Sequence, residues 1–256
     1  GYTRSILSML VDCHVHVVPK HTVPRANGGY FATGEELVSM LDDAGIDMAM
    51  VLPLVSPEAR WQLSTSEEVL EVCSHYPDRL VPFCNVDPRQ GSNSPNSDLS
   101  PHFEYYKSAG CKGVGEMTAN LYFDDPMVWN LLKYCSEYQM PVTFHISPAI
   151  GTSYGLVDDL GLPRLERTLK EFPDLAFLGH SQAFWSEVTS GLDEQTRRGY
   201  PKGKVLPGGR TVELFERYEN LWGDLSAGSG HNAISRDPEF GNAFIEQFRD
   251  LSLIHI

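Results

Sequence analysis

Short apolar runs rich in Val, Ile and Leu alternate along the chain with stretches whose apolar positions recur at helical spacing. That alternation predicts repeated βα units and a parallel sheet. Strands are expected at 9–17, 47–54, 80–86, 113–117, 142–147, 176–180 and 221–225, and helices at 34–44, 66–75, 99–109, 126–138, 163–171, 212–218 and 239–249. Helix boundaries are readable in Thr65 or Ser66 before Glu67 and Glu68, in Asp124 or Asp125 before Pro126, and in Gly110 after the third helix. Seven βα units can be traced, and a closed barrel needs about eight strands. The expectation is therefore an α/β fold, a (β/α)8 TIM barrel whose eighth strand is missing from this chain.

The pattern also divides the chain. Residues 9–250 form one barrel domain, 1–8 precede the first strand as a non-native extension, and 251–256 read as the translation of a sequencing-library adapter, which leaves His255 outside any site. The stretch 189–209, rich in Gly, Pro and charge, exceeds an ordinary connection and reads as a surface insertion, either a lid or a neutral elaboration.

Composition narrows the function classes. The 256 residues are 41% hydrophobic and 21% charged, enough for one large core. A net charge of −14 with 20 Lys and Arg spread through the chain excludes a phosphate-binding surface, so the partner expected is a small molecule, with homo-oligomers open. Cys13, Cys73, Cys84, Cys111 and Cys135 show no CxxC spacing and read as reduced core thiols of a cytoplasmic protein. No apolar run approaches the roughly 18 residues of a membrane span, and no leader pattern opens the chain.

Candidate chemistry begins at Asp12-Cys13-His14-Val15-His16, where two histidines one residue apart on a strand share a face. Such a pair chelates a divalent metal, or else forms two core histidines hydrogen-bonded to neighbours. His145 and His180 each end a later apolar run, and barrel enzymes assemble their sites from the C-terminal ends of strands. Glu116 ends the fourth strand, as a metal-bridging carboxylate or a salt-bridge partner. Asp224 ends the seventh, as a partner behind a ligand, a substrate contact or a loop cap. In the small, polar segment 226–237, His231 and Arg236 are candidates to receive a substrate carboxylate or carbonyl, unless its glycines only turn the chain. His21, His75 and His102 read as solvated or capping residues. Neither a phosphate-binding Gly-rich loop nor a GxSxG motif is present.

With these residues in place, the chain resembles the amidohydrolase superfamily, in its branch called amidohydrolase family 2, over nearly all of 9–250. The resemblance implies that His14, His16 and His145 hold the metal, and that His180 is a second-metal ligand or the general acid/base. It also implies an Asp at the end of strand eight, which nothing here matches. It further implies a divalent ion, zinc first with manganese, iron or cobalt open, and a hydrolase acting through metal-activated water on a C–N or C–O bond. The alternatives are non-oxidative decarboxylation of an aromatic or unsaturated acid and a non-catalytic ligand-binding barrel.

Overall fold

The computed structural model describes residues 9–59, 62–249 and 253–254. The expectations for 1–8 and for His255 lie outside the described residues. Strands β1 (Val11–Val15), β2 (Met48–Val51) and β3 (Leu80–Pro82) pair in parallel. Cys84 then bridges to Val114, carrying the sheet into β4 (Val114–Met117) and on to β5 (Val142–Ser147). A short strand, β6 (Leu156–Val157), was not expected and pairs only on the flank of β5. The sixth and seventh barrel strands are β7 (Phe177–His180) and β8 (Leu221–Asp224). This parallel βα order is that of the TIM barrel.

The eighth position is not empty. Leu253–Ile254, β9, pairs in parallel with Gly223 and Asp224, so two residues of the expected tail stand where an eighth strand belongs. Among the described residues no backbone pairing joins β9 to β1.

Local chemistry explains the helices between. Thr33 and Thr65 each close a capping box, with Glu36 over α1 (Gly34–Ala44) and Glu68 over α2 (Ser66–Ser74). Asp125 caps α4 (Pro126–Glu137), which follows α3 (Ser100–Ser108), while α5 (Pro163–Glu171) starts on its proline. A short α6 (Gln182–Trp185) follows β7, and α7 (Arg210–Arg217) starts two residues earlier than expected. The segment read as a loop at 226–237 is instead α8 (Ala227–Ser235), followed by α9 (Pro238–Phe248). Its glycines serve packing rather than turning, since a Cβ on Gly230 would lie 2.4 Å from the Leu225 carbonyl oxygen.

Helices cover β4, β5 and β7, which are buried along their whole length, as the continuous apolar runs require. Phe144, Phe177, Phe184 and Trp185 fill the main core, and a smaller cluster around Leu37, Leu41 and Val69 seats α1 and α2. All five cysteines are buried and free. Among the described residues no helix is long and apolar enough to cross a membrane.

The insertion is anchored rather than loose. Arg197 is fully buried; it donates to the Asp158 carbonyl at 2.9 Å and pairs with Glu187 at 3.3 Å. Burial pushes the Glu187 carboxyl up to about 7 despite the pull of Arg197. The folded chain therefore holds that proton more tightly than the unfolded chain, and stability falls as pH rises from about 4.5 to 7. In urea melts, Glu187→Gln should remove on the order of 1–3 kcal/mol of this decline. An unchanged pH profile in the variant would count against a buried, protonated Glu187.

Candidate metal centre

The end of β1 delivers two imidazoles to one point. His14 Nε2 and His16 Nε2 lie 3.1 Å apart, and Glu116 Oε2 from β4 sits 3.2 Å from the first and 3.1 Å from the second. Other contacts fix which nitrogens carry protons. The His16 Nδ1 faces the Leu52 carbonyl at 2.8 Å, and a carbonyl only accepts, so Nδ1 is the donor and Nε2 presents a lone pair. The His14 Nδ1 likewise donates to Asp224 Oδ2 at 2.6 Å. Three electron-rich atoms thus converge with edges of 3.1–3.2 Å.

Without a cation that convergence is repulsive. A tetrahedral ion with ligand bonds of roughly 2.0–2.1 Å has ligand–ligand edges of about 3.3 Å, so the triangle has the dimensions of one face of such a site. The donor set also fits chemically, since imidazole nitrogen and carboxylate oxygen suit zinc and its first-row neighbours. In the metal-free protein a proton takes that place. Burial opposes charge on His14, but Asp224 and Glu116 outweigh it and push the imidazole up to about 10. Both carboxylates stay ionised: burial works against them too, yet His14 holds each below the usual range.

The remaining predicted ligands surround this triangle. His145 on β5 donates from Nδ1 to the other oxygen of Glu116 at 2.8 Å, and Tyr154 packs on its ring with centroids 4.3 Å apart. His180 on β7 turns Nδ1 towards Ser226 Oγ at 3.2 Å and Asp224 Oδ2 at 3.4 Å. Burial and the charge on His14 lower His180 to about 4, leaving it neutral at pH 7. Potential ligand atoms fall into three overlapping groups, each within 4.8 Å: His14, His16 and Glu116; His14, His180 and Asp224; and Glu116, His145 and His180.

Two of the residues expected to meet substrate lie away from this centre. His231 is exposed on α8, with Ser235 Oγ 3.5 Å from its Nδ1, and neither it nor Arg236 lines the cavity over the metal centre. The helix that replaces the expected loop carries both away from it. Asp224 is fully buried and lies behind His14 and His180, where one oxygen orients imidazoles while the other accepts from the Ser226 amide at 2.9 Å and so also caps the following loop. His21 pairs with Glu36 on the surface and His75 caps α2, as solvated and capping roles require.

The cavity, about 190 Å³, is walled by Ser226 and Ala227, the first residues of the segment expected to meet substrate, and by residues the sequence reading passed over: Arg25, Phe31, Leu54, Thr118 and Tyr154. Asn85 was also missed. It donates from Nδ2 to the carbonyls of Glu116 and Pro53 at 2.6 and 3.1 Å, fixing the backbone that carries the carboxylate. The available signal was position, since most of these residues follow the C-terminal ends of barrel strands.

Comparison with known proteins places this geometry in a family. The family model described as Amidohydrolase matches residues 11–252. The chain belongs to that amidohydrolase family. A search of the curated proteins finds no match. Solved structures of similar fold include a TIM-barrel protein from Bordetella bronchiseptica, 18% identical, TM-score 0.58, covering 86% of this chain and 68% of that one. A probable 2-pyrone-4,6-dicarboxylic acid hydrolase from Acinetobacter baumannii is 14% identical, TM-score 0.50, covering 95% and 93%. A 2,6-dihydroxybenzoate decarboxylase from Rhizobium is 14% identical, TM-score 0.51, covering 90% and 84%. Identities this low establish a shared fold and nothing finer.

His14 separates two buried carboxylates, so deleting it leaves charges without a partner. In the metal-free protein, His14→Ala should cost about 3–5 kcal/mol by urea unfolding at pH 7. His16→Ala, at a half-buried position, should cost clearly less. Equal costs would show that His14 does not neutralise the cluster.

Proposed function

We propose that the protein is a metal-dependent hydrolase that cleaves a C–N or C–O bond of an amide, lactone or ester in a small carboxylated substrate. The observation supporting this reading is the three-atom convergence of His14, His16 and Glu116 beside the His180–Asp224 pair. His14, His16 and Glu116 would hold the ion, zinc by preference, with His145 close enough to complete its surroundings; manganese, iron and cobalt suit the same donors. When bound, such an ion polarises a substrate carbonyl and lowers the pKa of water towards about 7.

The chain's own residues supply the proton transfers. Neutral His180 lines the cavity; its Nδ1 faces Ser226 Oγ at 3.2 Å with the ionised Asp224 3.4 Å away, and Nε2 would be the base. After taking a proton from the attacking water, His180 becomes an imidazolium that Asp224 stabilises, and it then protonates the leaving group. Glu116, its carbonyl tied to Asn85, stays aligned throughout.

A second reading is decarboxylation, favoured by the ring-sized cavity and its Phe31, Tyr154 and Leu54 walls. There the bond between ring carbon and carboxylate breaks, carbon dioxide leaves, and the electron pair left on carbon takes a proton that His180 Nε2 has first drawn from water, leaving hydroxide to be neutralised by solvent. Turnover of lactones, esters, amides and ring carboxylic acids in ¹⁸O-water separates the two. Label in the product supports hydrolysis, whereas carbon dioxide with an unlabelled product supports the lyase. In either case Asp224→Asn should lower kcat by about 10²- to 10⁴-fold. A variant with unimpaired kcat would remove the pair from the mechanism.

A further inference from the structure

We propose that the pocket on the far side of Tyr154 from the metal centre is a second ligand site, which takes a small hydroxylated anion with Arg198 gripping its charged head. The inference is independent of the reaction carried out at the metal. Its basis is a cavity of about 320 Å³ at the C-terminal ends of β5 and β7, with His145, Thr152, Ser153, Tyr154, Gln182 and Arg198 in its walls. Tyr154 is the one lining residue shared with the cavity over His14, His16 and Glu116. Its ring packs on His145 with centroids 4.3 Å apart and stands as the partition between the two spaces. At that volume the pocket holds more than the single ring that a cavity of roughly 150 Å³ accepts.

The full charge in this pocket is of one sign. No Asp or Glu lines it, and among the described residues no carboxylate lies within salt-bridge distance of Arg198. The guanidinium donates from Nε to the Glu194 carbonyl at 3.0 Å, which fixes its plane and leaves both terminal nitrogens for a ligand. The Glu194 carboxylate is engaged elsewhere, by Arg197 at 3.6 Å and by the Leu160 amide at 3.3 Å. On a chain of net charge −14, a guanidinium without a carboxylate partner at a cavity mouth is a local attractor for anions, and its planar fork matches carboxylate or phosphate oxygens in pairs.

The walls are formed before any ligand arrives. Arg197 is fully buried and Ser186 Oγ donates to its carbonyl at 2.9 Å, so the backbone that carries Arg198 is fixed. The two arginines divide the work: Arg197 locks 189–209 to the barrel, and Arg198 faces the pocket. Across from them, Ser147 Oγ and Ser153 Oγ lie 2.9 Å apart and Thr152 Oγ1 donates to the Ala149 carbonyl at 3.0 Å. Gly151, at φ +76°, donates its amide to Asn120 Oδ1 at 2.6 Å and closes that loop. Gln182 Nε2 donates to Tyr200 Oη at 3.3 Å, which steadies the amide and turns its oxygen into an acceptor for a ligand hydroxyl. A guanidinium together with hydroxyl and amide oxygens selects an anion whose body carries hydroxyls, a hydroxy acid or the phosphate of a small polyol.

The test is calorimetric titration with glycerol 3-phosphate, glycerate and neutral glycerol, on zinc-loaded and on metal-free protein, at about 0.15 M salt so that a lone surface charge is screened. One anion or both should bind one to one whether or not zinc is present, and the tighter of the two identifies the headgroup. Glycerol should not bind in the same range. Arg198→Met, at an exposed position, should weaken anion binding at least about tenfold, whereas Arg25→Met in the neighbouring cavity should leave it unchanged. Binding that requires zinc, or that Arg25→Met abolishes and Arg198→Met spares, would put the anion over the metal and overturn the proposal. Equal binding of glycerol, or no binding of either anion, would overturn it as well.

Discussion

Three electron-rich atoms pressed to within 3.1–3.2 Å of one another are the constraint on which this structure turns. His14 Nε2, His16 Nε2 and Glu116 Oε2 tolerate that approach only around a positive charge. Every neighbouring contact serves to keep them there. Leu52 and Asp224 take the far nitrogens of the two imidazoles, His145 takes the second oxygen of Glu116, and Asn85 takes its backbone carbonyl. An arrangement that only filled a core would be better served by apolar side chains, because buried ion pairs rarely repay their desolvation.

The barrel makes this concentration of charge possible. Parallel strands present their C-terminal ends at one face, so residues from β1, β4, β5, β7 and β8 meet although up to 210 positions separate them. Asp224 also does structural work. It reaches from β8 to His14 and accepts from the Cys13 thiol at 3.4 Å, tying β8 to β1 where no backbone pairing joins the described strands. The centre is thus itself one of the links across that side of the ring.

Much of this was legible in the sequence. The βα alternation places the first seven barrel strands, because fully covered parallel strands leave continuous apolar runs that simple periodicity detects. The HxH spacing, together with histidines at the ends of two later strands, brings His14, His16, His145 and His180 into one site, since strand ends converge whatever the loops do. What the sequence did not show depended on tertiary packing. The glycines and serines of 226–237 suggest a loop, yet Gly230 lets α8 press against Leu225, and the resulting helix carries His231 and Arg236 away from the cavity. Arg25 and Thr118 gave no local signal, since an arginine in a polar turn and a threonine after a strand look the same whether or not a cavity lies beside them. The anchoring of 189–209 by Arg197 was equally hidden, because burying a guanidinium depends on acceptors some 40 residues away.

Metal stoichiometry tests the central claim most directly. Wild type and the His14→Ala/His16→Ala double variant are loaded with zinc, dialysed into metal-free buffer and measured by elemental analysis. The account predicts about one or two ions per chain in wild type and almost none in the variant. A folded wild type that retains no metal would contradict it, leaving the convergence of His14, His16 and Glu116 to be explained by protons alone.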